Sequence, residues 1–287
     1  MKNEKHIFNS FRDASGEVTF GLTNDYLFHA VFQKNLLALK GLVGSVLHIK
    51  PETILNIIIT NPIKIGEQID NKSFILDIEV LLNNNQLINL EMQVENQHNW
   101  QDRSLSYICR SFDQLYQGED YTDARPVTHI GFLNFTPFPD SLEFNAIYKF
   151  SNIKNHRVYS DKIILNVIDL THIELATEED KSYQIDYWAR LFTATTWEEL
   201  KMIADKNEYL ETASQTMYEL SADELVQRQC RARRDYYKQI NTHNRTLQEL
   251  EEAHKEIDAA HREIDAAHKE IEQLQKRIAE LEAQQSN

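Results

Sequence analysis

Residues 75–94 alternate apolar and polar side chains in two runs, 75–82 and 86–94, separated by Asn83, Asn84 and Asn85. A period of two belongs to β-strands with unlike faces, so the stretch predicts a hairpin. A three-residue loop pairs Leu82 with Gln86, Val80 with Ile88, Ile78 with Leu90 and Leu76 with Met92, and only a register of this parity brings the apolar faces together. The same register sets Asp77 across from Glu91 and Ile75 across from Gln93. Glu91 and Gln93, two apart in one strand, share a face.

Two carboxylates with Cβ atoms about 5 Å apart repel, and no lysine stands at the neighbouring pair positions to relieve them. A hard divalent cation relieves them. Mg²⁺ accepts carboxylate oxygens and keeps waters in its remaining sites, one of which can act as a nucleophile. The solvated polar face of an ordinary antiparallel hairpin has the same pattern, and the residues alone leave both readings open.

The run ILDIEVLLNNNQLINLEMQVENQ, with Asp77 and then Glu91-x-Gln93, resembles the core of the Rpn family, recombination-promoting nucleases also described as PD-(D/E)xK nuclease family transposases. LTNDYLFHAVF, residues 22–32, resembles the family's opening helix. The Arg103, Tyr107 and Tyr116 spacing and the strand PVTHIGFLNF, residues 126–135, also fit, so the resemblance covers about residues 20–175. It implies a mixed α/β, restriction-endonuclease-like αβββαβ core and a Mg²⁺- or Mn²⁺-dependent DNA endonuclease tied to recombination or mobile elements. Asp77 and Glu91 become the metal-binding acids, Gln93 the third catalytic member and Asp25 a fourth candidate. Gln93 stands where the wider superfamily has lysine, although this branch tends to carry glutamine. Lysine orients the attacking water and offsets developing charge, whereas glutamine only hydrogen-bonds. A slow enzyme or a strict metal requirement is expected. The alternative is a catalytically weak or inactive nuclease fold kept as a DNA-binding or regulatory module that oligomerises through a C-terminal coiled coil.

The 287 residues leave room for one sizeable domain and an appendage, and 41% hydrophobic residues suffice for a core. A net charge of −15 argues against bulk electrostatic attachment to nucleic acid, but not against a nuclease whose cations are placed locally. No apolar run reaches the 18 residues of a membrane span, and the N-terminus lacks a signal core, so a cytoplasmic protein is expected. Cys109 and Cys230 read as buried free thiols.

Four regions follow: a loose arm over residues 1–20, the nuclease-like core over 21–175, a helical extension over 176–240 and a coiled coil over 241–287. In the core, residues 22–47 read as two helices, the first capped by Thr23, with Gly41 and Gly44 as close-packing points. Residues 98–118 read as a helix, 127–135 as a strand buried on both sides, and 144–150 and 162–170 as two more strands. In the extension, Thr196 and Glu199 form a capping box. Candidate DNA contacts are Lys154 and Arg157 in a basic loop, and Arg231, Arg233 and Arg234 in a helix that also carries Tyr236 and Tyr237; a solvated helix face is the commoner fate of such a charge run.

The tail repeats a heptad, with Leu250, Ile257, Ile264, Ile271 and Ile278 at a and Ala253, Ala260, Ala267, Leu274 and Leu281 at d. It predicts a homodimer or higher homo-oligomer through residues 243–283.

Overall fold

The computed structural model describes residues 10–63, 65, 77–115 and 118–285. Strands β1 (Ile57–Ile59), β2 (Ile78–Leu82), β3 (Gln86–Gln93), β4 (Val127–Leu133), β5 (Asn145–Ser151) and β6 (Val158–Asp169) form one sheet in the order β1-β2-β3-β4-β6-β5. The hairpin β2–β3 has the expected register, Leu82 against Gln86, Val80 against Ile88 and Ile78 against Leu90. Ile75 and Leu76 lie outside the described residues. Asn83 and Asn84 take positive φ angles of 49° and 59°, a left-handed backbone that asparagine tolerates better than most residues. The Asn83 side chain accepts from the Leu55 and Asn56 N–H groups at 2.8 and 3.1 Å, tying the turn to the chain entering β1.

From β3 the chain crosses through helix α3 (Trp100–Phe112) to β4, which lies parallel to β3 and to β6; β5 closes the edge antiparallel. Every residue of β4 is buried, as its apolar run predicts. Helix, antiparallel strands, helix and parallel strand make the αβββαβ core.

One sheet face carries Ile78, Val80, Leu90, Ile130 and Ile168 into the main core. Helices α1 (Asp25–Lys34), α2 (Leu36–Val46), α5 (Ile185–Thr193) and α7 (Glu208–Ser221) contribute much of the rest of it. Aromatic rings interlock there, with Phe28 and Phe32 at 4.9 Å and Phe132 and Phe192 at 5.0 Å between centroids, both near edge-to-face; such pairs add about 0.5–1.5 kcal/mol each beyond the area they bury. Trp188 satisfies its indole N–H on Ser45 Oγ at 3.0 Å. Helices α4 (Glu178–Ser182) and α6 (Trp197–Ala204) complete this half, α6 opening on the predicted Thr196–Glu199 capping box. Gly41 is a close-packing point as expected, since a Cβ there would stand 2.4 Å from Tyr209 Cβ.

Several expectations are corrected. The stretch from Ser10 to Phe20 is not a loose arm: Phe11 and Phe20 are buried, and the Val18 and Trp197 N–H groups bond to Thr195 O and Gly16 O at 2.8 and 3.0 Å. Single residues anchored on distant partners leave no periodicity to read. Asn24 caps α1 in place of Thr23, its side chain accepting from the Leu27 N–H at 3.2 Å. Helix α3 ends at Phe112, short of Gly118, and Cys109 is exposed while Cys230 is buried. The reason is that α3 turns Trp100, Ser104 and Ile108 inward and Leu105 and Cys109 outward. Strand β6 starts at Val158, four residues before the expected Lys162.

One compact unit ends at Asp235, and a second begins at Tyr236. The helices expected as a separate extension are therefore built into the same unit as the nuclease-like core. Helix α8 (Glu224–Gln285) ends the chain, and within the second unit Leu250, Ile257, Ile264, Ile271 and Leu274 are all about half exposed along it. No described helix is long and apolar enough to cross a membrane.

Candidate functional site

The second sheet face holds the candidate site residues. Residues that alternate out of the core along β2 and β3 put Glu79, Asn89, Glu91 and Gln93 on this face, and α3 packs over part of it. Asp77 immediately precedes β2, so one further step of the register sets it opposite Glu91. Glu91 also pairs with Gly131 of β4. A Cβ on Gly131 would come within 2.2 Å of the Trp100 ring, so the missing side chain is what lets Trp100 seat α3 on the sheet. One and two turns later α3 delivers Arg103 and Tyr107. Gly131→Ala is expected to destabilise the protein by about 1–3 kcal/mol through overpacking, read as a lower urea midpoint.

Glu91 is 3% exposed and heavily bonded. Its Oε1 accepts from Gln93 Nε2 and from Arg103 Nε, both at 2.6 Å. Its Oε2 lies 3.4 Å from His129 Nε2 without hydrogen-bond alignment. His129 is fully buried, with Trp100 and Tyr107 stacked against it at 5.5 and 5.6 Å between ring centroids. Its Nδ1 lies 3.0 Å from Asn89 Nδ2. With that amide donating, the ring proton sits on Nε2, facing Glu91.

Electrostatics divide the two acids. Burial works against ionisation of Glu91, but His129 and Arg103 outweigh it and hold the carboxyl below its usual range. Asp77 has less help, from its own backbone N–H and, more weakly, from Arg103. Burial first and Glu91 second push it up to about 7. Among the described residues neither of its carboxylate oxygens has a hydrogen-bond partner outside its own residue, although Asp77 is only 2% exposed. Tyr107 is pushed up to about 12 by burial and then by Asp77 and Glu91, so it keeps its proton at neutral pH.

A buried carboxylate without donors is costly and demands a partner. Asp77 and the Glu91 carboxyl opposite it fit a hard cation: oxygen donors, negative charge and, among the described residues, no competing lysine. Among the described residues no group of three or more His, Cys, Asp or Glu is arranged as a metal site; the groups that could meet a cation here are two carboxylates and the Gln93 amide.

This geometry coincides with a sequence match. A family model described as PD-(D/E)XK nuclease family transposase covers residues 22–243. The chain belongs to this family. No curated protein and no solved structure matches it. The family match continues through the helices after residue 175, in keeping with their packing into the nuclease core. It ties the chain to nucleases of mobile elements.

Other candidate residues fall elsewhere. Asp25 opens α1 and takes the guanidinium of Arg233 on both carboxylate oxygens, with Arg233 Nε at 3.0 and 3.1 Å. That pairing ties Asp25 to the part of α8 that ends the first unit. Arg233, expected at phosphates, is 4% exposed and committed to this ion pair, which corrects that assignment. Arg231 and Arg234 are exposed, Arg234 over the Phe20 ring at 5.1 Å. Lys154 and Arg157 are exposed at the tip of β5–β6. Tyr116 lies outside the described residues. Sequence reasoning missed His129, whose only signal was one titratable residue inside an apolar strand.

Proposed function

We propose that the chain is a metal-dependent DNA endonuclease of recombination or mobile-element biology. The observation that carries this reading is the juxtaposition of an ionised, well-bonded Glu91 with a buried Asp77 whose oxygens lack donors among the described residues. Asp77 and Glu91 would hold Mg²⁺ or Mn²⁺, which supplies charge neutralisation at the phosphodiester and lowers the pKa of water. The chain's own groups do the positioning. Gln93 is fixed by its Nε2 on Glu91, leaving its carbonyl oxygen to accept a proton contact from the attacking water. Arg103 brings to Glu91 the positive charge that a lysine at position 93 would bring. His129 and Arg103 keep Glu91 ionised. The half-exposed apolar stripe of α8 supports assembly of two or more copies through residues 243–283.

Incubation with supercoiled plasmid and Mg²⁺ or Mn²⁺ tests the reading. Wild-type protein is expected to cut and Asp77→Ala to leave the plasmid intact; cutting by the variant removes the assignment. A second reading, a nuclease fold retained as a non-catalytic DNA-binding or regulatory platform, is favoured by one observation. Glu91 Oε1 is already taken by Gln93 and Arg103. Intact plasmid with both proteins, together with DNA binding that ignores divalent ions, selects it.

A further inference from the structure

The hairpin β5–β6 projects as an arm. Every residue from Ile147 to Tyr159 is exposed. Apolar side chains do not normally accumulate on such a ribbon, yet Ile153 is 90%, Tyr159 81% and Phe150 63% exposed. Phe150 and Tyr159 meet edge-to-face at 5.4 Å, forming an aromatic pair open to solvent. Cations stand among them in a chain of net charge −15. Lys149 is paired with Asp161 at 3.3 Å, but among the described residues neither Lys154 nor Arg157 has an ion-pair partner. The tip is built rather than slack: Asn152 Oδ1 accepts from the Lys154 N–H at 2.8 Å, and Asn155 Oδ1 from the Arg157 N–H at 3.1 Å.

We propose that this arm grips duplex DNA, with Lys154 and Arg157 on phosphates and Ile153 and the Phe150–Tyr159 pair against bases or sugars. Solvated cations alone would not call for exposed aromatics beside them, and a protein-docking face would not call for two unpaired cations at its apex; nucleic acid takes both. The sheet also supplies a spacing. Val167 stands in the row of Gly131 and Glu91, and Val158, where β6 begins, is nine residues before it. At about 3.3 Å per residue Val158, which adjoins the arm's tip, stands at most about 30 Å along β6 from that row, the register shifts between Lys149 and Ser151 shortening the reach, within the roughly 34 Å of one turn of B-DNA. The choice of DNA as partner rests on the proposed function.

Fluorescence anisotropy with a 40-base-pair duplex, without divalent ions, tests the arm independently of cleavage. The double variant Lys154→Ser, Arg157→Ser is expected to bind at least tenfold more weakly at 100 mM NaCl, with the slope of log affinity against log salt shallower by about two. Ile153→Ser alone is expected to weaken binding with no change of slope. Both keep the wild-type thermal midpoint, because the altered side chains are exposed. Wild-type-like binding by both variants overturns the proposal, as does loss of binding to phosphatidylserine vesicles in place of DNA. Arm-dependent DNA binding by a protein that never cuts overturns the nuclease reading alone.

Discussion

Asp77→Asn is expected to flatten the fall in stability that the metal-free protein shows between pH 4 and pH 8. Asp77 titrates near 7 in the folded chain because it is buried and faces Glu91, against about 3.9 in an unfolded chain. A carboxyl with a raised folded pKa contributes fully below the unfolded value and loses that contribution as pH rises through the folded one. About three units correspond to on the order of 4 kcal/mol across this window. Asparagine does not ionise, so its curve lacks the decline, although a buried amide without partners costs about 1–3 kcal/mol at every pH. Urea unfolding at pH 4, 6 and 8 in EDTA measures both. Added Mg²⁺ is expected to restore stability to the wild type above pH 7 and to do nothing for the variant. Equal pH dependence in the two proteins contradicts the account.

Arg103→Gln is expected to lower the cleavage rate by about 10²–10³-fold, the range seen when one preorganised stabilising group is removed from a transition state. Arg103 Nε lies 2.6 Å from Glu91 Oε1, and Gln93, on the same oxygen, brings no charge. If the guanidinium supplies the missing positive charge, adding Gln93→Lys to the Arg103→Gln variant should recover much of the rate. Metal binding separates this role from simple support of Glu91. Loss of a neighbouring cation leaves Mg²⁺ affinity equal or tighter, whereas a displaced Glu91 weakens it. A double variant as slow as the single one, with weakened Mg²⁺ binding, makes Arg103 a structural prop.

The sequence displayed some layers of this molecule and hid others. The β2–β3 register was legible because a one-residue slip would have turned Val80, Ile88 and Leu90 to the wrong face, so parity alone placed Asp77 opposite Glu91. The inward face of α3 was not. Its seat on the sheet is made by Trp100 over a glycine, followed by Ser104, while Leu105 and Cys109 point outward, so the apolar spacing marked the wrong side. His129 hid in a strand that reads as apolar, because its contacts with Asn89 and Glu91 come from another strand. Arg233 looked like a phosphate contact because a run of arginines does not show which one turns inward to a distant aspartate. Charge and periodicity report local chemistry. Partners brought in from distant parts of the chain decide its use.

Calorimetric titration of Mn²⁺ into the wild-type protein and Asp77→Ala at pH 7.5 tests the central claim most directly. The account predicts binding at the Asp77–Glu91 pair in the wild type and its loss in the variant, with the fold retained by circular dichroism. Equal binding by both proteins, or none by the wild type, contradicts it.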